Sequence, residues 1–322
     1  MFKEMIKNRM GVFIILLLFS GMGYFSAGQN PANAPQQTGR RTLDMPKKGV
    51  CPLPILPALP TYSDTKFYER KDIPHGRIEQ ATYINSAGQE KRMHIYLPPG
   101  YNDNPQLRYP VLYLNHGGGD DDSRWTMEDQ RQGGYAHLIL DNLIYEGKAK
   151  PMIVVMPNTR GLASGSPPEP GKDDPCSQEY INSIIPYVDS HYRTKASREY
   201  RALAGLSMGG FVVLHTGLSH LDVFSELYVY SSGHTTPETL KQFEENFINL
   251  FNDYTGTNDK FRVPLYMAAG ETDIALFNSM KVLALFNRYG IKTFWVLSDG
   301  GHEWANWRRY LFQTAQIMFP DC

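Results

Sequence analysis

From Val111 onward, short apolar runs alternate with longer stretches of helical spacing. That alternation restricts the chain to a mostly parallel sheet covered on both faces by helices. The apolar runs are residues 111–115, 152–156, 200–204, 227–230, 265–269 and 293–297, each bounded by turn-forming residues and too short for a helix. The intervening spacing predicts helices over 135–146, 177–192 (kinked at Pro186), 208–218, 237–250, 274–289 and 304–318. Ahead of them, residues 77–85 and 91–97 alternate polar and apolar around a Ser86-Ala-Gly-Gln turn, which predicts an antiparallel start to the sheet. The fold class is therefore α/β.

The 322 residues suit one such domain of about 250 residues together with a targeting segment. Lys3, Lys7 and Arg9 precede an apolar core from Gly11 to Phe19, and Ser26 and Gly28 occupy positions −3 and −1 before Gln29. This pattern predicts a signal peptide over 1–28, cleaved before Gln29, and a secreted or periplasmic protein. No cysteine follows the apolar core, which argues against a lipoprotein. Residues 29–61, with Pro52, Pro54, Pro57 and Pro60, read as an extended arm and not a core element, leaving 62–322 as the catalytic domain. A net charge of −1 without a basic run excludes nucleic acid as an expected partner and gives no reason for a stable membrane partner. Cys51, Cys176 and Cys322 permit one bridge and leave one thiol over, with the pairing open. Their spacing matches neither a zinc site nor a redox motif, so no metal or other cofactor is expected.

Gly205-Leu206-Ser207-Met208-Gly209 follows the apolar run 200–204 and opens a helix. A serine hydroxyl is a weak nucleophile at neutral pH and has to be presented bare to a base. A sharp strand-to-helix turn does this, provided its neighbours are small, as Gly205, Gly209 and Gly210 are. The pattern in this setting is that of the α/β-hydrolase fold, where the partners follow in the order serine, acid, histidine. His302, in Asp299-Gly300-Gly301-His302, stands between the last apolar run and the last helix, and is the expected base. The acid is expected after residues 265–269, in Gly270-Glu271-Thr272-Asp273; Asp273 is the choice and Glu271 the rival.

Two backbone N–H groups should face the negative oxygen that develops during attack on a carbonyl. Met208 would supply one, and Gly117 or Gly118 of His116-Gly117-Gly118-Gly119 the other. Asp120-Asp121-Asp122 follows, without the spacing of a calcium loop, and reads as a solvated acidic turn. Trp125 in the same loop is a candidate for stacking on substrate at the rim of the site, with core packing as the alternative.

With these residues placed, the segments YLPPGYND, YPVLYLNHGGGDDDSRW, ILDNLIYEGKAKPMIVVMPN, AGLSMGG and GGHEWANWRRYL occur in an order that resembles the esterase family containing carbohydrate esterase family one. The resemblance runs from about Asp72 to Pro320. It implies hydrolysis of feruloyl or acetyl esters on xylan side chains, without metal or organic cofactor, by Ser207, Asp273 and His302. The expected partner is an esterified plant cell-wall oligosaccharide or a small ester. Three other readings stay open: an esterase for small molecules such as siderophores, an acyltransferase of the mycolyltransferase type, and a carbohydrate-binding protein without catalysis.

Overall fold

Residues 52–321, except 164, 170 and 171, are described by a computed structural model. The expected signal peptide with its cleavage position, the arm up to Cys51, and Cys322 lie outside the described residues. Eight strands form one sheet: β1 (Arg77–Ile84), β2 (Glu90–Leu97), β3 (Val111–Asn115), β4 (Ile153–Pro157), β5 (Arg201–Leu206), β6 (Glu226–Tyr230), β7 (Leu265–Gly270) and β8 (Thr293–Ser298). Their spatial order is β1-β2-β4-β3-β5-β6-β7-β8. The hairpin β1–β2 joins antiparallel to β4, and every pairing from β4 to β8 is parallel. The C-terminal ends of six strands therefore line one edge, where an open α/β sheet places its ligands.

The central strands are apolar on both faces because both are covered. Leu112, Leu114, Val154, Ala202, Ala204, Tyr228 and Tyr230 face one core, shared with α1 (Ala136–Tyr145) and α9 (Trp304–Ala315). Val111, Tyr113, Ile153, Val155, Leu203, Leu227 and Val229 alternate onto the other. That second core is covered by α2 (Pro175–Glu179), α3 (Ile185–His191), α4 (Met208–Val212), α5 (Pro237–Asn246), α6 (Ile248–Asn252) and α8 (Leu276–Tyr289).

Three departures from the sequence reading have physical causes. The helix expected over 177–192 begins at Pro175, capped by the Asp174 carboxylate, and contains a π-helical turn at Tyr180–Ile184. That wider turn sits just ahead of Pro186, which withholds an N–H from the ladder. The helix expected over 237–250 ends at Asn246, and α6 is followed by a further helix, α7 (Tyr254–Lys260), that the spacing did not reveal. Its residues Tyr-Thr-Gly-Thr-Asn-Asp-Lys are weak helix formers, started by Asp253 accepting from the Gly256 N–H. The end of the arm is also more than a surface strap: Leu56 and Leu59 are buried in the first core, and Pro57 and Pro60 accept hydrogen bonds from Gln313 and Arg309. Cys176 is a buried free thiol.

Glu226, at the start of β6, is a buried carboxylate far from the C-terminal edge whose ionisation the fold opposes. It accepts from Tyr228 Oη at 2.7 Å and from the Phe319 N–H at 3.0 Å. Burial nevertheless pushes its pKa up to about 7. The folded chain then keeps a proton that the unfolded chain has lost, so stability falls as pH rises from about 4.5 to about 7. Glu226→Gln removes this dependence and is expected to stabilise the protein by ~1–3 kcal/mol at pH 8 while changing little at pH 5. Urea denaturation at both values checks it; an equal shift at both would contradict the assignment.

Candidate active site

Ser207 occupies the single residue between β5 and α4, with φ 52° and ψ −117°. A side-chain-bearing residue in that region costs about 1–3 kcal/mol and persists only where its surroundings hold it. Here they do. A Cβ on Gly205 would lie 2.4 Å from the Gly209 carbonyl, and one on Gly209 would lie 2.5 Å from the His116 carbonyl oxygen. The absence of side chains lets α4 press against β5 and the end of β3, while the Ser207 N–H donates to Tyr230 O at 2.9 Å. The result is a half-buried hydroxyl at the C-terminal edge of the sheet.

His302 and Asp273 reach the same point from the ends of β8 and β7. His302 Nε2 lies 3.0 Å from Ser207 Oγ, and Nδ1 lies 2.8 Å from Asp273 Oδ1. With Nδ1–H donating to the carboxylate, Nε2 is left to accept from the serine hydroxyl. Asp273 also accepts from the Ala275 N–H at 2.7 Å and is 5 % exposed. Burial works to raise its pKa, yet the hydrogen bonds from His302, Ser231 and Ala275 together hold it below the ordinary value. Glu271, the rival acid, is exposed, and its backbone N–H is tied to Ser298 O. The turn thus delivers Asp273 to His302 and points Glu271 elsewhere.

Sequence reasoning missed the support beneath this pair. The Trp307 indole N–H donates to Ser231 Oγ at 3.0 Å, and its ring stands edge-on to His302 with centroids 5.0 Å apart. Ser231, itself at φ 52°, follows β6 as Ser207 follows β5.

The loop after β3 lies beside the serine: a Cβ on Gly117 would sit 3.5 Å from Ser207 Cβ, and one on Gly118 would sit 3.8 Å from Met208 Cβ. His116, buried and kept neutral chiefly by that burial, decides which amide is aimed. Its Nε2 accepts from the Thr159 N–H at 3.2 Å, so Nδ1 carries the proton and donates to Gly117 O at 2.7 Å. In a trans peptide the N–H opposes the C=O. Holding the Gly117 carbonyl toward His116 therefore turns the Gly118 N–H away from that ring. Of the two glycines named from sequence, Gly118 is the better placed donor to pair with the Met208 N–H at the start of α4.

The acidic turn that follows is not a solvated one. Asp122 is buried, accepting from Arg92 Nη2 at 2.7 Å and from His94 Nδ1 at 2.7 Å. Asp121 accepts from Ser123 Oγ at 2.6 Å, and Asp120 pairs with Arg124 at 3.1 Å. The signal was present: Arg92 and His94 are two apart on β2 and so share one face. Arg160 reaches the same loop from beyond β4 and donates to Gly119 O. Trp125, considered as a stacking residue at the rim, is instead core: it is 1 % exposed, donates to Asn115 O at 2.9 Å and packs edge-on against Trp304. Its indole has no access to a ligand.

A hydroxyl, an imidazole and a buried carboxylate in hydrogen-bonded sequence, beside a glycine loop and the start of a helix, form the constellation used for acyl transfer through a serine ester. The sequence profile of the family described as Putative esterase matches residues 84–317. The chain is 35 % identical over 264 residues to an endo-1,4-beta-xylanase/feruloyl esterase of Xylanibacter ruminicola, covering 80 % of this chain and spanning 33 % of that relative. Among solved structures, the feruloyl esterase module from Clostridium thermocellum, complexed with sinapinate, matches with TM-score 0.65 at 22 % identity, over 82 % of this chain and 96 % of that one. A CE1 ferulic acid esterase from Anaeromyces mucronatus matches with TM-score 0.63 at 20 % identity, over 80 % and 96 %. These structural likenesses support the α/β-hydrolase fold.

The close approach of α4 to the loop after β3 makes a stability prediction. Gly209→Ala forces a Cβ against backbone and is expected to cost ~1–3 kcal/mol. Gly118→Ala meets only ordinary contact distances and should stay within about 0.5 kcal/mol of the parent. Denaturation of the two variants side by side checks this, and equal losses would contradict the packing described.

Proposed function

The chain belongs to the Putative esterase family, and from that premise we propose that it is a secreted serine hydrolase releasing feruloyl groups from xylan-type oligosaccharides or polysaccharides. The observation that carries the chemistry is the unbroken relay from Ser207 Oγ through His302 to Asp273, with contacts of 3.0 and 2.8 Å. Feruloyl specificity is supported by the name of the Xylanibacter ruminicola relative, and export by the basic and apolar residues that open the chain.

In this reading Ser207 Oγ attacks the ester carbonyl while its proton passes to His302 Nε2. Asp273 holds the ring with Nδ1 toward itself and stabilises the imidazolium. The carbonyl oxygen becomes negative between the N–H groups of Met208 and Gly118, which need no reorganisation to receive it. His302 then returns the proton to the departing sugar oxygen, and the C–O bond of the ester breaks, leaving the acyl group on Ser207. Water, deprotonated by the same imidazole, attacks the acyl-enzyme and frees the carboxylic acid and the serine.

The test is a release assay on feruloylated arabinoxylan oligosaccharide and acetylated xylan, with Ser207→Ala as control. Ferulate should be released, and the variant should lose at least about a thousandfold of the rate. Acetate alone would replace the feruloyl assignment with acetyl xylan hydrolysis. Turnover undiminished in Ser207→Ala would overturn the serine mechanism.

A further inference from the structure

A polar cleft of about 570 Å³ opens at the same edge of the sheet as the candidate active site, its lining including Gln80, Thr82, Glu90, Arg92, Asn158 and Arg160. Its floor follows from register: Thr82 on β1 is paired with Arg92 on β2, and the Arg92 carbonyl accepts from the Asn158 N–H beyond β4. β2 runs antiparallel to β4, so Glu90 and Arg92 near its start lie at the C-terminal edge, where Ser207 also lies. From β5 the path crosses β3, β4 and β2 in turn. Three strand spacings amount to roughly 14 Å. A small leaving alcohol would not span that distance, whereas a chain of sugar rings would.

The cleft is joined to the oxyanion loop by direct bonds. Arg160 donates to Gly119 O, and its own N–H is held by Asn158 Oδ1 at 3.2 Å. Arg92 is fixed by its Nε and Nη2 to the buried Asp122, leaving Nη1 without a protein partner among the described residues. Its donors are thus oriented before any ligand arrives, which lowers the ordering cost of binding. Gln80 and Thr82 face solvent from the neighbouring strand. The lining offers amides, a hydroxyl, guanidinium groups and carboxylates, with no apolar side chain. Lys91, Arg92 and Arg160 are balanced by Glu90, Asp121 and Asp122, so the recognition chemistry suits hydroxyl groups and not a strongly charged ligand.

We propose that this cleft is a saccharide subsite receiving the neutral oligosaccharide that bears the ester. The subsite rests on the esterase reading for its role, although not for its existence. It explains why the arginines and Asp122 tie the hairpin β1–β2 to the oxyanion loop: sugar seated on the hairpin is registered against the same loop that holds the carbonyl.

Two measurements test it. Thr82→Tyr fills the cleft from an exposed strand position where tyrosine is readily accommodated. The ratio of kcat/KM for a feruloylated arabinoxylo-oligosaccharide to that for methyl ferulate should fall about tenfold, through KM, as expected when one or two hydrogen bonds are lost. Gln80→Ala should move the ratio in the same direction. An unchanged ratio in both variants would overturn the proposal, while leaving the esterase reading intact if methyl ferulate is cleaved. Independently of turnover, Ser207→Ala should bind xylotetraose in a calorimetric titration, and Ser207→Ala/Thr82→Tyr should not. Absence of binding to the first protein, or equal binding to both, would overturn the subsite even if neither ester proves to be a substrate.

Discussion

Ser207 sits at φ 52° because three backbones converge on it with no side chain between them. β5 ends under it, α4 begins over it, and the His116 carbonyl presses against Gly209 from the end of β3. A residue in that conformation relaxes unless both flanking elements are anchored. They are: β5 lies between the fully buried strands β3 and β6, and Val212 of α4 enters the second core together with Val213 and Leu214 of the π-helical turn that continues it. The stored strain is the reason the hydroxyl stands clear of its own backbone and meets an imidazole arriving from a strand three places further along the sheet.

Around this turn the other groups are held in pairs. Asp273 is useful only because Ala275, Ser231 and His302 together offset the cost of burying it. The Gly118 N–H is turned away from the His116 ring because that ring donates to Gly117 O once Thr159 has claimed its other nitrogen. The same loop is then pinned at Asp122 by Arg92 and His94 and at Gly119 by Arg160. Few of these contacts touch a reacting atom. Their effect is to hold amides, imidazole and hydroxyl in place, and in the proposed mechanism such preorganised dipoles are what lowers the barrier.

What could be read from the amino acids alone was whatever depends on neighbours in the chain. The alternation of apolar runs placed the strands to within one or two residues, and the strand-to-helix setting distinguished Gly205-Leu206-Ser207-Met208-Gly209 from a chance glycine-rich turn. His302 was legible from its place between the last strand and the last helix. What stayed open depends on residues distant in sequence. Asp273 and Glu271 are equivalent chemically until the bonds from Glu271 N to Ser298 and from Thr272 Oγ1 to Gly300 O fix the turn. Gly117 and Gly118 are equivalent until Thr159 sets the His116 tautomer. Asp122 looked solvated because its partners stand 28 and 30 residues away, and Trp125 looked available because Trp304 covers it only in the folded chain.

Acyl transfer through Ser207 requires a covalent bond to form there, and trapping that species is its most direct test. The protein would be mixed with a feruloyl ester, quenched in acid during the first turnovers, digested and analysed by mass spectrometry. A feruloyl adduct is expected on the peptide containing Ser207, accumulating ahead of the free acid if deacylation is the slower step, and absent from His302→Ala. Ester cleavage undiminished in Ser207→Ala, or the acyl group found on another residue, would contradict it.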